Sequence, residues 1–291
     1  MVRNKKTVIR GRRAIPSPHA RNWYARRLKL LTQIMDGRVR VYFQRTGEVL
    51  TPADHAELAR LRSRFQSLFD DEARPLATEF FNRNITATKA SFRAATKPII
   101  EAQEAELREA KRKAMSSQVR FQVKIDGRRD RLELHQFREG IETNVNLIKT
   151  IPSKYFDKIG KAVEARTRGK MTRGALVKRI KELGGVTQRR AEMIADDQTA
   201  KVTEAMIVAR CRNAGIKKVM WVHSGISMHP RDVHRRKWDG HTGKFNRKPN
   251  GFNGYIFDID KPPYDPVAKQ YVYPAQLPNC KCTLVPVLTV D

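Results

Sequence analysis

The sequence predicts an α+β protein that is predominantly helical, with helical N-terminal and middle regions and a small, loop-rich, β-containing C-terminal module. Three observations lead there. Between residues 52 and 213, apolar side chains recur mainly at helical spacing among many charged ones. Residues 221–288 read instead as loops, turns and short strands, with a Gly/Pro/Asn-rich stretch after Phe245. That last stretch holds four of the seven histidines, two of the three cysteines and two of the three tryptophans.

Composition narrows the function classes. A chain of 291 residues holds one large or two small domains, and 40% hydrophobic residues suffice for a core. No run of about 18 apolar residues occurs, so no membrane span is expected. The Arg-rich N-terminus lacks the apolar segment of a secretory signal. Three cysteines, an odd number, do not make a disulfide framework, so a reducing compartment is expected. The net charge is +29, whereas solubility asks for a magnitude of about 2–8 in a small domain. Such an excess points to a polyanion, most simply nucleic acid phosphate. An anionic membrane surface and an acidic protein are the rivals, but no basic helix with a Trp/Leu face stands out.

The elements follow in order. Residues 1–45 carry thirteen Lys/Arg against the single acid Asp36 and are expected to form a basic arm. Within it, Leu28, Leu31, Ile34 and Met35 predict a short helix ending at Asp36-Gly37. Residues 46–140 are expected to be a helical region. Thr51-Pro52 is an N-cap followed by proline at the first helical position, and Leu58, Leu61, Phe65, Leu68 and Phe69 give the apolar face. A second helix is expected from Pro75, and a long exposed one over 98–117. Residues 119–125 alternate as a strand, with Gly127 in the turn after it. His55 reads as a surface histidine.

From about 131 the pattern is helical again, with Pro152-Ser153 as punctuation. Thr172 caps a helix closed by Gly184-Gly185, and Thr187 caps the next, whose end near Asn213 includes Cys211 as a small packing residue. Residues 219–224 read as a buried strand. Gly254 to Phe257, Tyr271 to Tyr273 and Thr283 to Val287 are expected to complete a small sheet.

Four segments, in order, resemble the phage Mu F-like head morphogenesis (minor head) proteins of tailed bacteriophages. They are NVNLIKTIPSKYFDKI, then RRAEMIADDQTAKVTEAM with RCRNAGIKKVMWVHS, then HPRDVHRRKWDG with GKF, and finally YPAQLPNCKCTLVPV. The resemblance covers about half the chain and places the domain at 141–291, with helices over 141–213 and a β module over 217–288. It implies a virion component near the portal vertex, made in the host cytoplasm, rather than a metabolic enzyme. Its implied partners are the portal protein and the major capsid or scaffold proteins, in support of head assembly and of genome packaging or delivery. No catalytic residue is implied.

Charge alone assigns contact with double-stranded DNA to Arg3, Lys5, Lys6, Arg10, Arg12, Arg13, Arg26 and Arg27. The alternative is a solvated basic tail that binds nothing specific. In the C-terminal module, Trp221, Arg231, His234, Trp238, Gly240, Pro278, Cys280 and Cys282 are expected to carry the structural motif. Arg231 and Arg235 would pair with Asp232, Asp239, Asp258 or Asp260, and His234 with a backbone carbonyl. No cofactor is required by that reading. Cys280-x-Cys282 with His223, His229, His234 and His241 also suits structural zinc, and His234, Cys280 and Cys282 are the first candidate ligands. A DNA- or RNA-cleaving nuclease is the alternative function, built on His229, Asp232, His234, Arg235 and Asp239. A clear pair of acids to hold Mg²⁺ is missing from it.

Overall fold

The computed structural model describes residues 7–112, 134–225, 230–237 and 251–290. The chain is predominantly helical α+β, with a small antiparallel sheet completed by the C-terminal region. Strand β1 (Thr7–Arg10) precedes helices α1 (Pro18–Arg45), α2 (Pro52–Arg112), α3 (Leu134–Thr167) and α4 (Arg173–Asn213). Then come β2 (Lys218–Val222), the one-turn helix α5 (Asp232–Arg235), β3 (Ile256–Asp258), β4 (Tyr264–Asp265), β5 (Gln270–Tyr271) and β6 (Thr283–Val290). The fold divides into two compact units that cut across the sequence divisions 1–45, 46–140 and 141–291. The expected strand at 119–125 and Gly127 lie outside the described residues, as do Arg3, Lys5, Lys6, His229, Trp238, Asp239, Gly240 and His241.

One unit comprises Pro18–Arg83 and His135–Gln198. It is built from α1, the first part of α2, most of α3 and the first part of α4. Tyr24, Leu28, Met35, Val39 and Phe43 give α1 one continuous buried stripe. Tyr24 stacks on Phe80, and Phe65 on Phe156. A buried polar network ties three helices. The Tyr24 hydroxyl donates to Asn144 Oδ1 at 3.1 Å, and Asn144 Nδ2 donates to Gln198 Oε1 at 3.1 Å.

Two caps behave as expected. Thr51 and Asp54 bond each other reciprocally at the start of α2, and Thr172 Oγ1 accepts the Ala175 N–H at the start of α4. Several expected breaks are absent. Helix α1 continues through Gly37 to Arg45, because Val39 and Phe43 extend its buried stripe. Pro75 lies inside α2 and Pro152 inside α3. Gly184-Gly185 does not close a helix and Thr187 does not cap one. Both lie within α4, where the Thr187 hydroxyl bonds back to the Leu183 carbonyl. Gly184 is small for a packing reason: a Cβ there would overlap the Asp36 carboxylate of α1.

The other unit comprises the described parts of 1–17, 84–134 and 199–291. Its four-stranded sheet has the order β1-β6-β2-β3, with every neighbouring pair antiparallel. Residues 7–10 are therefore an edge strand and not a free arm. Gly11 N–H continues the anchorage to the Pro286 carbonyl at 2.8 Å, and Arg12 N–H bonds the Ala95 carbonyl at 2.7 Å. Gly11 is required there, since a Cβ would strike that same Ala95 carbonyl. Pro286 sits in a central strand without wasting a ladder bond. In an antiparallel ladder a residue's N–H and C=O face the same neighbour, so its missing donor faces β1 just past Arg10. Residues 270–271 pair with β4 in a separate two-stranded ribbon and do not join the main sheet. Trp221, Phe252, Phe257, Phe92, Ile207 and Cys211 are among the residues of this unit's core. Cys211 is thus the packing residue it was expected to be.

Candidate metal centre

Three chain segments bring the reactive side chains of the sheet-containing unit together. Strand β2 alternates, with Val219 and Trp221 buried, and His223 follows with the same parity. The His223 N–H is held by Asn253 Oδ1 at 3.1 Å. Helix α5 is a single turn that buries His234 between Trp221 and Phe252, with ring centroids at 4.8 and 5.3 Å. Its position is fixed by the bond from Phe252 N–H to the Val233 carbonyl. The third segment is a tight turn, in which Cys280 N–H bonds the Leu277 carbonyl and Asn279 takes a positive φ of 59°. Asparagine tolerates that left-handed conformation better than most residues. The chain then extends into β6, so Cys280 and Cys282 share a face, as residues two apart do in an extended strand.

The donor atoms converge. Cys280 Sγ lies 3.5 Å from His234 Nδ1, Cys282 Sγ lies 3.9 Å from the same nitrogen, and Cys282 Sγ lies 3.6 Å from His223 Nδ1. The ligand atoms of His234, Cys280 and Cys282 all fall within 4.8 Å of one another, and all three residues are buried. On the far side of the ring, His234 Nε2 donates to Asp265 Oδ2 at 3.0 Å. Asp265 is fully buried and its Oδ1 accepts the N–H groups of Val267 and Ala268. Burial alone would raise the Asp265 carboxyl, but these two backbone donors and His234 outweigh it and hold it below its usual value. The Cys282 thiol donating to Cys280, with His234 alongside, pulls Cys280 well below the usual thiol range. That same bond, together with burial, pushes Cys282 up. Burial lowers His223.

The expected site residues that lie among the described ones each have a place. Trp221 fills the core as expected. Arg231 does not pair with an acid among the described residues; both of its terminal nitrogens donate to the Pro278 carbonyl at 3.3 Å, tying α5 to the cysteine turn. Arg235 pairs with Asp232, while Asp258 and Asp260 take Lys218 and Arg212. His234 bonds the Asp265 carboxylate rather than a backbone carbonyl. The described members of the proposed nuclease cluster point apart: His234 is buried against the cysteines, while Asp232 and Arg235 are exposed. Asp265 escapes sequence reasoning, because nothing in its local pattern signals a buried carboxylate.

The basic residues divide as well. Arg10, Arg12, Arg26 and Arg27 are exposed, while Arg13 is half-buried. Their neighbours Arg21 and Lys29 are engaged with Asp196 and Glu192 of α4. No helix among the described residues is long and apolar enough to cross a membrane.

No protein-family model and no solved structure matches the chain. A curated relative, an uncharacterized protein of Haemophilus influenzae (strain Rd), is 36% identical over 146 residues. That match covers 50% of this chain and 28% of the relative, so the chain spans well under two thirds of the relative's length.

Proposed function

We propose that this chain is a minor head protein of a tailed bacteriophage, seated near the portal vertex. In this reading it supports head assembly and DNA packaging or delivery, contacts double-stranded DNA without sequence preference and has no enzymatic role. The observation that carries the reading is where the resembling segments meet. WVHS supplies Trp221 and His223, PRDVHRRK supplies Arg231 and His234, and PNCKC supplies Pro278, Cys280 and Cys282. These pieces, scattered over about sixty residues, meet in one cluster in which Trp221, His234, Cys280 and Cys282 are buried. Motifs that are individually weak therefore act as parts of one structural element. The net charge of +29 and exposed Arg10, Arg12, Arg26 and Arg27 support contact with phosphate. The partners are the portal protein and the major capsid or scaffold proteins, and the location is the phage head after assembly in the host cytoplasm.

Co-expression with a portal protein from the same genome tests this. The chain is expected to copurify with portal rings through size-exclusion chromatography at moderate salt. Quantitative separation from the rings, and from procapsids of the same phage, would overturn the proposal.

A further inference from the structure

We infer that His223 Nδ1, His234 Nδ1, Cys280 Sγ and Cys282 Sγ form a closed, four-ligand structural site for zinc, with Asp265 as the residue that positions His234. Its basis is geometry within one unit, independent of the phage reading.

The spacing matches the ion. With Zn–S near 2.3 Å and Zn–N near 2.0–2.1 Å, a tetrahedral shell sets sulfur and nitrogen about 3.6 Å apart. Three of the four sulfur–nitrogen distances of such a shell are 3.5, 3.6 and 3.9 Å here; His234, Cys280 and Cys282 form the tight group, and His223 reaches it through Cys282. Both histidines turn the same atom, Nδ1, toward a cysteine sulfur. For His234 that choice is enforced: Asp265 takes the Nε2 hydrogen, which leaves the Nδ1 lone pair facing the sulfurs. A carboxylate behind a ligating imidazole is the usual device for fixing its tautomer and raising its basicity.

Charge balances too. Two thiolates and two neutral imidazoles neutralise a divalent ion, and any proton still held by the thiols leaves to solvent as it binds. Four protein ligands leave no open position, so the site clips structure together and activates no water. A clip suits this part of the fold, where β3, β4 and β5 have three, two and two residues. The ligands come from three segments that share little regular structure.

The test uses the full chain. Elemental analysis of protein purified without chelator is expected to give one zinc per chain. Cys211→Ala should retain it, since Cys211 is not one of the converging ligands, while Cys282→Ser should lose it. If Cys282→Ser fails to fold, Co²⁺ titration of metal-stripped wild-type chain still decides, through thiolate-to-cobalt absorption and the intense visible bands of a tetrahedral site. His223→Ala should weaken Co²⁺ binding at least tenfold and change those bands. Asp265→Asn should weaken it about ten- to a hundredfold, as expected of a residue behind a ligand. Wild-type chain that neither carries zinc nor binds Co²⁺ stoichiometrically would overturn the site. Unchanged affinity and bands in His223→Ala would overturn its four-ligand closure.

Discussion

A Cβ on Gly184 would overlap the Asp36 carboxylate, so glycine at 184 lets α1 and α4 approach where Asp36 is buried. The Asp36 Oδ1 accepts the Tyr155 hydroxyl at 3.0 Å, which adds α3 to the same point. This junction sets two effects against each other. Alanine is favoured over glycine in a helix interior by about 1 kcal/mol. Overpacking a close contact costs about 1–3 kcal/mol. Gly184→Ala is predicted to be destabilising overall, whereas Gly185→Ala, whose Cβ meets only the end of Arg189 at 3.7 Å, is predicted to be stabilising. Urea denaturation of the two variants reads both signs.

Asp36 also confers a pH dependence. Burial raises its pKa, opposed by the Tyr155 hydrogen bond and by Arg40. A carboxyl whose folded pKa exceeds its unfolded value binds more protons when folded, so stability falls as pH rises from the unfolded value, about 3.9, through the folded one. Asp36→Asn keeps an acceptor for Tyr155 and removes the cost of burying a charge. Its melting temperature is predicted to exceed wild type at pH 7, with the advantage shrinking as pH falls toward 4. Equal differences at both pH values would contradict this.

The Tyr24–Asn144–Gln198 network makes a graded prediction. Tyr24→Phe removes one hydroxyl and should cost about 0.5–1.5 kcal/mol. Asn144→Ala strips partners from both Tyr24 and Gln198, each buried, and should cost about 1–3 kcal/mol for each group left unsatisfied. Equilibrium denaturation should therefore rank Asn144→Ala well below Tyr24→Phe. The reverse order would mean that water replaces the missing bonds.

DNA binding is tested by point substitution rather than truncation. Deleting residues 1–45 would remove an edge strand of the sheet and the whole of α1, so loss of binding would report unfolding. Arg10→Ser/Arg12→Ser and Arg26→Ser/Arg27→Ser change exposed side chains only. Each double variant is predicted to flatten the plot of log binding constant against log salt by about 0.9 for every phosphate that it no longer neutralises. Random-sequence and defined duplexes should bind alike. An unchanged slope in both variants would remove these arginines from the interface.

The features of the fold that can be read from the sequence are those set by local chemistry. The Thr51 and Thr172 caps, the helical faces and the buried β2 depend on neighbours within a few residues. Pro75, Pro152 and Gly184-Gly185 mislead because packing along a long helix outweighs one unfavourable residue, and Gly184 answers to α1 rather than to a helix end. The pairing of β1 with β6 joins residues 7–10 to 287–290, and no local pattern announces so distant a partner. In the candidate site, the spacing of Cys280 and Cys282 and the presence of His234 are visible in the sequence. His223 is one of four candidate histidines there, but which of them approaches Cys282, and the role of Asp265, depend on how turns from separate segments converge.

The proposed residence in a phage head is open to direct measurement. Quantitative mass spectrometry would be applied to gradient-purified procapsids and DNA-filled particles from source cells after prophage induction. A few copies of the chain per particle, at a fixed ratio to the portal protein, are predicted in both fractions. Recovery of the chain in the soluble lysate, with none in either particle, would contradict a head protein.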